Sequence, residues 1–218
     1  MNFSVIDFSS KKFILFDLDG TLFNTLPDLA VSINVMLQQL NLSPLSFEQV
    51  KGFIGNGSRN LVRRCLMNSG EDPEKAHALF YEYYRQHCAE KTVPYPGVMD
   101  FLNKNFRAAV LTNKPIVPTR RILSHFGLLG RFEFVLGGDS TLERKPSPAG
   151  IEYILNSAKV EKKEALMIGD DLPDLFASKA AGIDSVMLLK GFGKAEEILS
   201  HFPENSVEHF PELLNLFS

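Results

Sequence analysis

The chain has 218 residues, 44% of them hydrophobic and 22% charged; this excludes a disordered chain and gives enough length to bury a core without disulfide or metal staples. Lys+Arg is 23 and Asp+Glu is 26, a formal charge of −3, which argues against a general nucleic-acid binder. No apolar run approaches the roughly 20 residues of a membrane helix, the amino terminus carries Asp7 and no long apolar stretch, and Cys65 and Cys88 form neither a disulfide framework nor a zinc spacing, so a cytoplasmic chain without membrane or nucleic-acid partners is expected.

Phe13–Phe16 is an unbroken apolar run ending at Asp17, the pattern of a strand covered on both faces. Leu26, Leu29, Ala30, Ile33, Leu37 and Leu40 then keep a helical period. A second helix is expected from Ser58, burying Leu61, Val62, Cys65 and Leu66. A third is expected from Asp72-Pro73, an N-cap and N1 pair, to about Ala89. Val93-Pro94-Tyr95-Pro96-Gly97 breaks the pattern. Strands are next expected at Ala108–Leu111, Phe134–Leu136, Ala165–Ile168 and Val186–Leu189. Between them lie helices over Ile116–His125, after Ser147-Pro148, and over Leu172–Ala181 with its stop at Gly182. From Asn205 onward a short element closes the sheet edge or forms a final helix.

This alternation predicts an α/β fold, a doubly wound parallel sheet with a Rossmann-like core. The gap between the first two strands far exceeds the dozen or so residues a crossover needs. Residues 22–92 are therefore read as a small helical cap domain inserted into a core of residues 1–21 and 93–218, with stems at 23–26 and 91–96. An insertion there overlies the carboxyl ends of the strands, where such sheets bind ligands.

Four features fall at those ends. Asp17-Leu18-Asp19-Gly20-Thr21 places two carboxylates two residues apart after the first strand. Carboxylates this close repel unless a cation compensates, and hard oxygen ligands suit Mg²⁺. Gly169-Asp170-Asp171 with Asp174 repeats the acid cluster at another strand end. Asp170 can reach a metal held by Asp17, and Asp174, one helical turn later, can support it. Thr112-Asn113 offers a hydroxyl and backbone N–H groups for phosphate oxygens, and Lys145 offers positive charge. Each feature has a bland reading as a turn, a helix N-terminus or a solvated lysine, but all four would have to coincide at one face of one sheet.

Taken together, these features resemble the haloacid dehalogenase-like superfamily of phosphohydrolases. Phe16-Asp17-Leu18-Asp19-Gly20-Thr21 is similar to its first motif, Thr112 to its second, Lys145 to its third and Gly169-Asp170-Asp171-x-x-Asp174 to its fourth. Asn24–Ala30, Ile54-Gly55-Asn56-Gly57, Leu111–Pro115 and Gly137-Gly138-Asp139 resemble the phosphoglycolate phosphatase branch, with Asn24 and Asp171 as departures. The resemblance implies a Mg²⁺-dependent phosphatase acting on a small phosphorylated metabolite, 2-phosphoglycolate first, through an aspartyl-phosphate. Asp17 would be the nucleophile and Asp19 the acid–base. Thr112, Asn113 and Lys145 would hold the phosphoryl oxygens. The carboxylates of Asp17 and Asp170 and the backbone carbonyl of Asp19 would hold the metal.

Arg59 and Arg63 share one face of the second helix and, if that face meets the core, could clamp a substrate carboxylate. The rival readings are a phosphosugar mutase of the same superfamily, another small-metabolite or nucleotide phosphatase, and a non-enzymatic receiver-like module. The last has no need of the long insert.

Overall fold

The computed structural model describes residues 6–67, 69–140, 143–203 and 205–217. The run Phe13-Ile14-Leu15-Phe16 forms β1 (Phe13–Phe16), with all four residues fully buried. Alternate side chains leave a strand on opposite faces. Ile14 and Phe16 accordingly enter one apolar cluster, and Phe13 and Leu15 enter another. Phe16 is ringed by Phe101, Phe106, Phe132 and Phe210 at centroid distances of 6.1–6.3 Å.

The chain then forms a two-residue strand, β2 (Phe23–Asn24), and four helices: α1 (Leu26–Gln39), α2 (Phe47–Lys51), α3 (Ser58–Leu66) and α4 (Pro73–His87). It returns through β3 (Val93–Pro94), antiparallel to β2. Asp28 on α1 locks this return, since its buried carboxylate accepts the backbone N–H groups of Lys91 at 3.0 Å and Thr92 at 2.8 Å. Helices α1, α3 and α4 pack on one another, and α4 also meets the core. Helix α2 was open to prediction, because Ser46 and Gln49 form a reciprocal capping box at its start.

The rest alternates as expected: α5 (Val98–Leu102), β4 (Arg107–Leu111), α6 (Ile116–His125), β5 (Phe134–Leu136), α7 (Ala149–Ala158), β6 (Ala165–Gly169), α8 (Leu172–Ala181), β7 (Asp184–Leu188), α9 (Ala195–Ser200), β8 (Asn205–Val207) and α10 (Phe210–Leu216). The short α5 and α9 were not expected, and the segment from Asn205 supplies both an edge strand and a final helix. The six-stranded sheet is parallel, in the order β5-β4-β1-β6-β7-β8. It is the doubly wound arrangement, with chain order reversing on either side of β1, and the crevice above β1, β4 and β6 is where such a sheet takes a ligand. No helix among the described residues is long and apolar enough to cross a membrane.

Candidate active site

Asp17 and Asp19 follow β1 directly, and Leu18 between them is buried in the core. Gly20 then turns the backbone at φ +84°, and a Cβ there would collide with the Asp170 carboxylate. A Cβ at Gly191 would collide with the same carboxylate. Asp170, at the end of β6, thus sits in a slot that only glycines leave open. It accepts the Thr21 hydroxyl at 2.6 Å and the Phe192 backbone N–H at 2.7 Å.

Asp174 lies in the first turn of α8. Its Oδ2 accepts the backbone N–H groups of Asp170 and Asp171, both at 3.2 Å, closing the α8 capping box with Asp171. Its Oδ1 accepts Lys145 Nζ at 2.5 Å. Lys145 also lies 2.8 Å from Asp17 Oδ1. That contact is an ion pair rather than an aligned hydrogen bond, and Asp17 Oδ1 is a buried oxygen with no hydrogen-bond donor.

Asp17, Asp170 and Asp174 each offer a carboxylate oxygen, all within 4.8 Å of one another. One buried ammonium does not neutralise three carboxylates. Burial, then the charges of Asp17 and Asp174, push the Asp170 carboxyl well up. Burial raises Asp174 to about 7 against the pull of Lys145. Burial disfavours the Lys145 ammonium, but Asp17 and Asp174 outweigh it and hold the lysine protonated. Three carboxylates converging on a single ammonium leave negative charge in excess, which fits a hard divalent cation. Asp17 and Asp170 have ligand capacity to spare; Asp174 is committed to Lys145 and two backbone groups, a supporting position.

Thr112 is buried at the end of β4, and its hydroxyl accepts the Lys114 backbone N–H at 3.3 Å. The Asn113 side-chain amide donates to the carbonyls of Gly55 at 3.1 Å and Lys145 at 3.0 Å. It ties the loop before α3 to the strand ends. Asp19 is not in the carboxylate cluster. Its side chain accepts the Thr25 hydroxyl at 2.7 Å and Lys114 Nζ at 2.9 and 3.1 Å.

The structure does not bring Arg59 and Arg63 to this site. Both are exposed, and Arg59 pairs with Glu74 on α4. Leu61, Val62, Cys65 and Leu66 define the inward arc of α3, and successive residues turn by about 100°. Ser58 falls at the middle of that arc and lines the cavity, whereas Arg59 stands at its edge, paired outward with Glu74, and Arg63 lies beyond it.

That cavity, about 50 Å³, is lined by Asp17 and Lys145 and also by Leu29, Leu61 and Phe80. Lys114 and Tyr84 line it as well. Sequence reasoning gave neither a role. Lys114 was within reach, two residues past Thr112. Tyr84 follows Phe80 and Ala76 at helical spacing on the buried face of α4, which signals core and nothing more.

A family model described as haloacid dehalogenase-like hydrolase matches residues 14–188. The phosphoglycolate phosphatase of Colwellia psychrerythraea is 34% identical over 94% of this chain and 96% of its own. Phosphoglycolate phosphatase 1 of Pseudomonas aeruginosa is 36% identical over 93% of this chain and 78% of its own. Among solved structures, a predicted phosphoglycolate phosphatase from Haemophilus somnus superposes with a TM-score of 0.90 at 33% identity, covering 96% of this chain and 99% of that one.

Proposed function

The chain belongs to the haloacid dehalogenase-like hydrolase family, and from that premise we propose that it hydrolyses a small phosphate monoester, 2-phosphoglycolate first among them, through an aspartyl-phosphate on Asp17 with Mg²⁺ as cofactor. The observation that carries this reading is the convergence of the Asp17, Asp170 and Asp174 carboxylates around the single buried ammonium of Lys145.

The Asp17 carboxylate attacks phosphorus. The Asp19 carboxyl gives its proton to the departing alkoxide, and then, as a carboxylate, takes one from the water that cleaves the acyl phosphate. Lys145, the Thr112 hydroxyl and the Asn113 backbone N–H orient the phosphoryl oxygens, in a transfer that depends mainly on positioning and charge. The carboxylates of Asp17 and Asp170 and the Asp19 carbonyl would hold Mg²⁺, whose chemistry is to neutralise charge that builds up on the phosphoryl oxygens. Asp174 steadies Lys145.

Helices α1–α4, as a cap hinged at residues 23–26 and 91–96, exclude water while the acyl phosphate exists. The small volume of the cavity supports a short leaving group. The reaction needs only a soluble phosphorylated metabolite, in keeping with a cytoplasmic enzyme.

The test is phosphate release from a panel of phosphate monoesters including 2-phosphoglycolate, with Mg²⁺ and with a chelator. Mg²⁺-dependent release, greatest for the shortest esters, is expected. Isomerisation of a sugar phosphate without phosphate release would make the chain a mutase instead.

A further inference from the structure

Lys114 is 5% exposed, placed where the chain leaves β4, and its ammonium meets two other parts of the chain at once. It contacts both oxygens of Asp19 at 2.9 and 3.1 Å. It donates to the Tyr84 hydroxyl and lies 4.6 Å from the centre of the Tyr84 ring. Tyr84 is 2% exposed and belongs to α4, so the ammonium joins the helical segment to the residue after β1. Burial, with the Asp19 charge adding to it, holds the Tyr84 phenol in its protonated form.

A lysine this deep is an expensive way to fill space. An apolar side chain of similar volume in place of a buried ion pair is often neutral or stabilising. The charge is placed on a carboxylate that also accepts the Thr25 hydroxyl at 2.7 Å. Lys114 and Thr25 together fix the rotation of Asp19, which a single contact would leave free. The phosphoryl-holding groups, Lys145 and Thr112, do not touch Asp19's side chain among the contacts described.

We propose that Lys114 is the positioning residue of Asp19, and that Tyr84 sets Lys114 from the helical segment. The role rests on the reading of Asp19 as acid–base. As the Asp17–phosphorus bond forms and the phosphorus–oxygen bond to the alcohol breaks, the Asp19 proton passes to the leaving oxygen, and the carboxylate left behind faces the Lys114 ammonium. A 1 Å displacement of such a group costs about 10²-fold.

The leaving group supplies the readout. kcat/KM covers steps only through transfer to Asp17, so it is blind to breakdown of the acyl phosphate. Ethyl phosphate expels an alkoxide that needs a proton, whereas acetyl phosphate expels a stable carboxylate that does not. In Lys114→Met, kcat/KM for ethyl phosphate and 2-phosphoglycolate is expected to fall about 10²-fold while that for acetyl phosphate changes less than about threefold. Tyr84→Phe keeps the ring packing and loses the hydroxyl, and the same substrate pattern is expected at about tenfold or less; it serves should Lys114→Met fail to fold.

A loss confined to 2-phosphoglycolate would make Lys114 a contact of the substrate carboxylate and overturn the proposal. An equal loss on all three substrates, or none, would overturn it as well. In each of those cases the wild-type chain still releases phosphate. A wild type that releases none from any of the three would instead remove the phosphatase reading, and the role of Lys114 with it.

Discussion

Two buried lysines sit at opposite ends of the sheet, and they are matched to their surroundings differently. At the amino end, Lys11 pairs with Asp184 at 2.5 Å and donates to the Lys163 carbonyl at 2.6 Å. One cation meets one carboxylate, and Asp184, 36% exposed at its side chain, reaches water. At the carboxyl end, Lys145 meets Asp17 and Asp174 with Asp170 close by, three carboxylates to one ammonium. The first arrangement is complete. The second leaves negative charge in excess of its one cation. Burial of a charge is costly unless it is paired, so the surplus of negative charge at one end, and not burial as such, marks the site built to receive something.

Exchanging each lysine sharpens the contrast. Lys145→Met is expected to lower kcat/KM for 2-phosphoglycolate by about 10³-fold, the scale of removing a group that stabilises transition-state charge. A change under tenfold, measured by phosphate release, would take Lys145 out of the phosphoryl cradle. Gly191→Ala comes next. Its Cβ collides with the Asp170 carboxylate, and overpacking of this kind costs about 1–3 kcal/mol. A lower melting temperature together with weaker Mg²⁺ binding by calorimetry is expected, and unchanged Mg²⁺ binding would uncouple the glycine slot from the metal.

Lys11→Met is expected to leave kcat/KM within about twofold while costing about 1–2 kcal/mol, less than loss of a fully buried partner because Asp184 is partly hydrated. Urea denaturation with parallel kinetics checks both halves of that statement. Arg59→Ala is the smallest. The pair with Glu74 is exposed on both sides, 51% and 64%, and is worth at most about 1 kcal/mol. KM for 2-phosphoglycolate should not move; a rise of several-fold would restore the carboxylate clamp.

The carboxyl-end half of this contrast could be read from the sequence; Lys11 and Asp184 carried no signal there. Asp17, Asp19, Thr112, Asp170 and Lys145 were legible because short apolar runs end abruptly in polar residues, and parallel strands align those ends at one edge of the sheet. The wound order followed from the alternation of strand-length and helix-length patterns. Periodicity, however, reports that a side chain is buried and not what it meets. Tyr84 shares its helical face with Ala76 and Phe80, and nothing local announces that a lysine 30 residues later will reach its hydroxyl. The side chain of Asn113 reaches toward the carbonyl of Gly55, 58 residues earlier, for the same reason. For Arg59 and Arg63 the i,i+4 spacing says only that they share a face; which way that face looks is set by longer-range partners such as Glu74, which pairs with Arg59.

The central claim is that the surplus carboxylate of Asp17 accepts a phosphoryl group. The most direct measurement is mass spectrometry of the protein quenched in acid during turnover of 2-phosphoglycolate with Mg²⁺, followed by peptide mapping. A single added phosphoryl group on the peptide bearing Asp17, absent in Asp17→Asn and absent in chelator, is predicted. Turnover with no covalent adduct under any quench time, or an adduct at another residue, would contradict it.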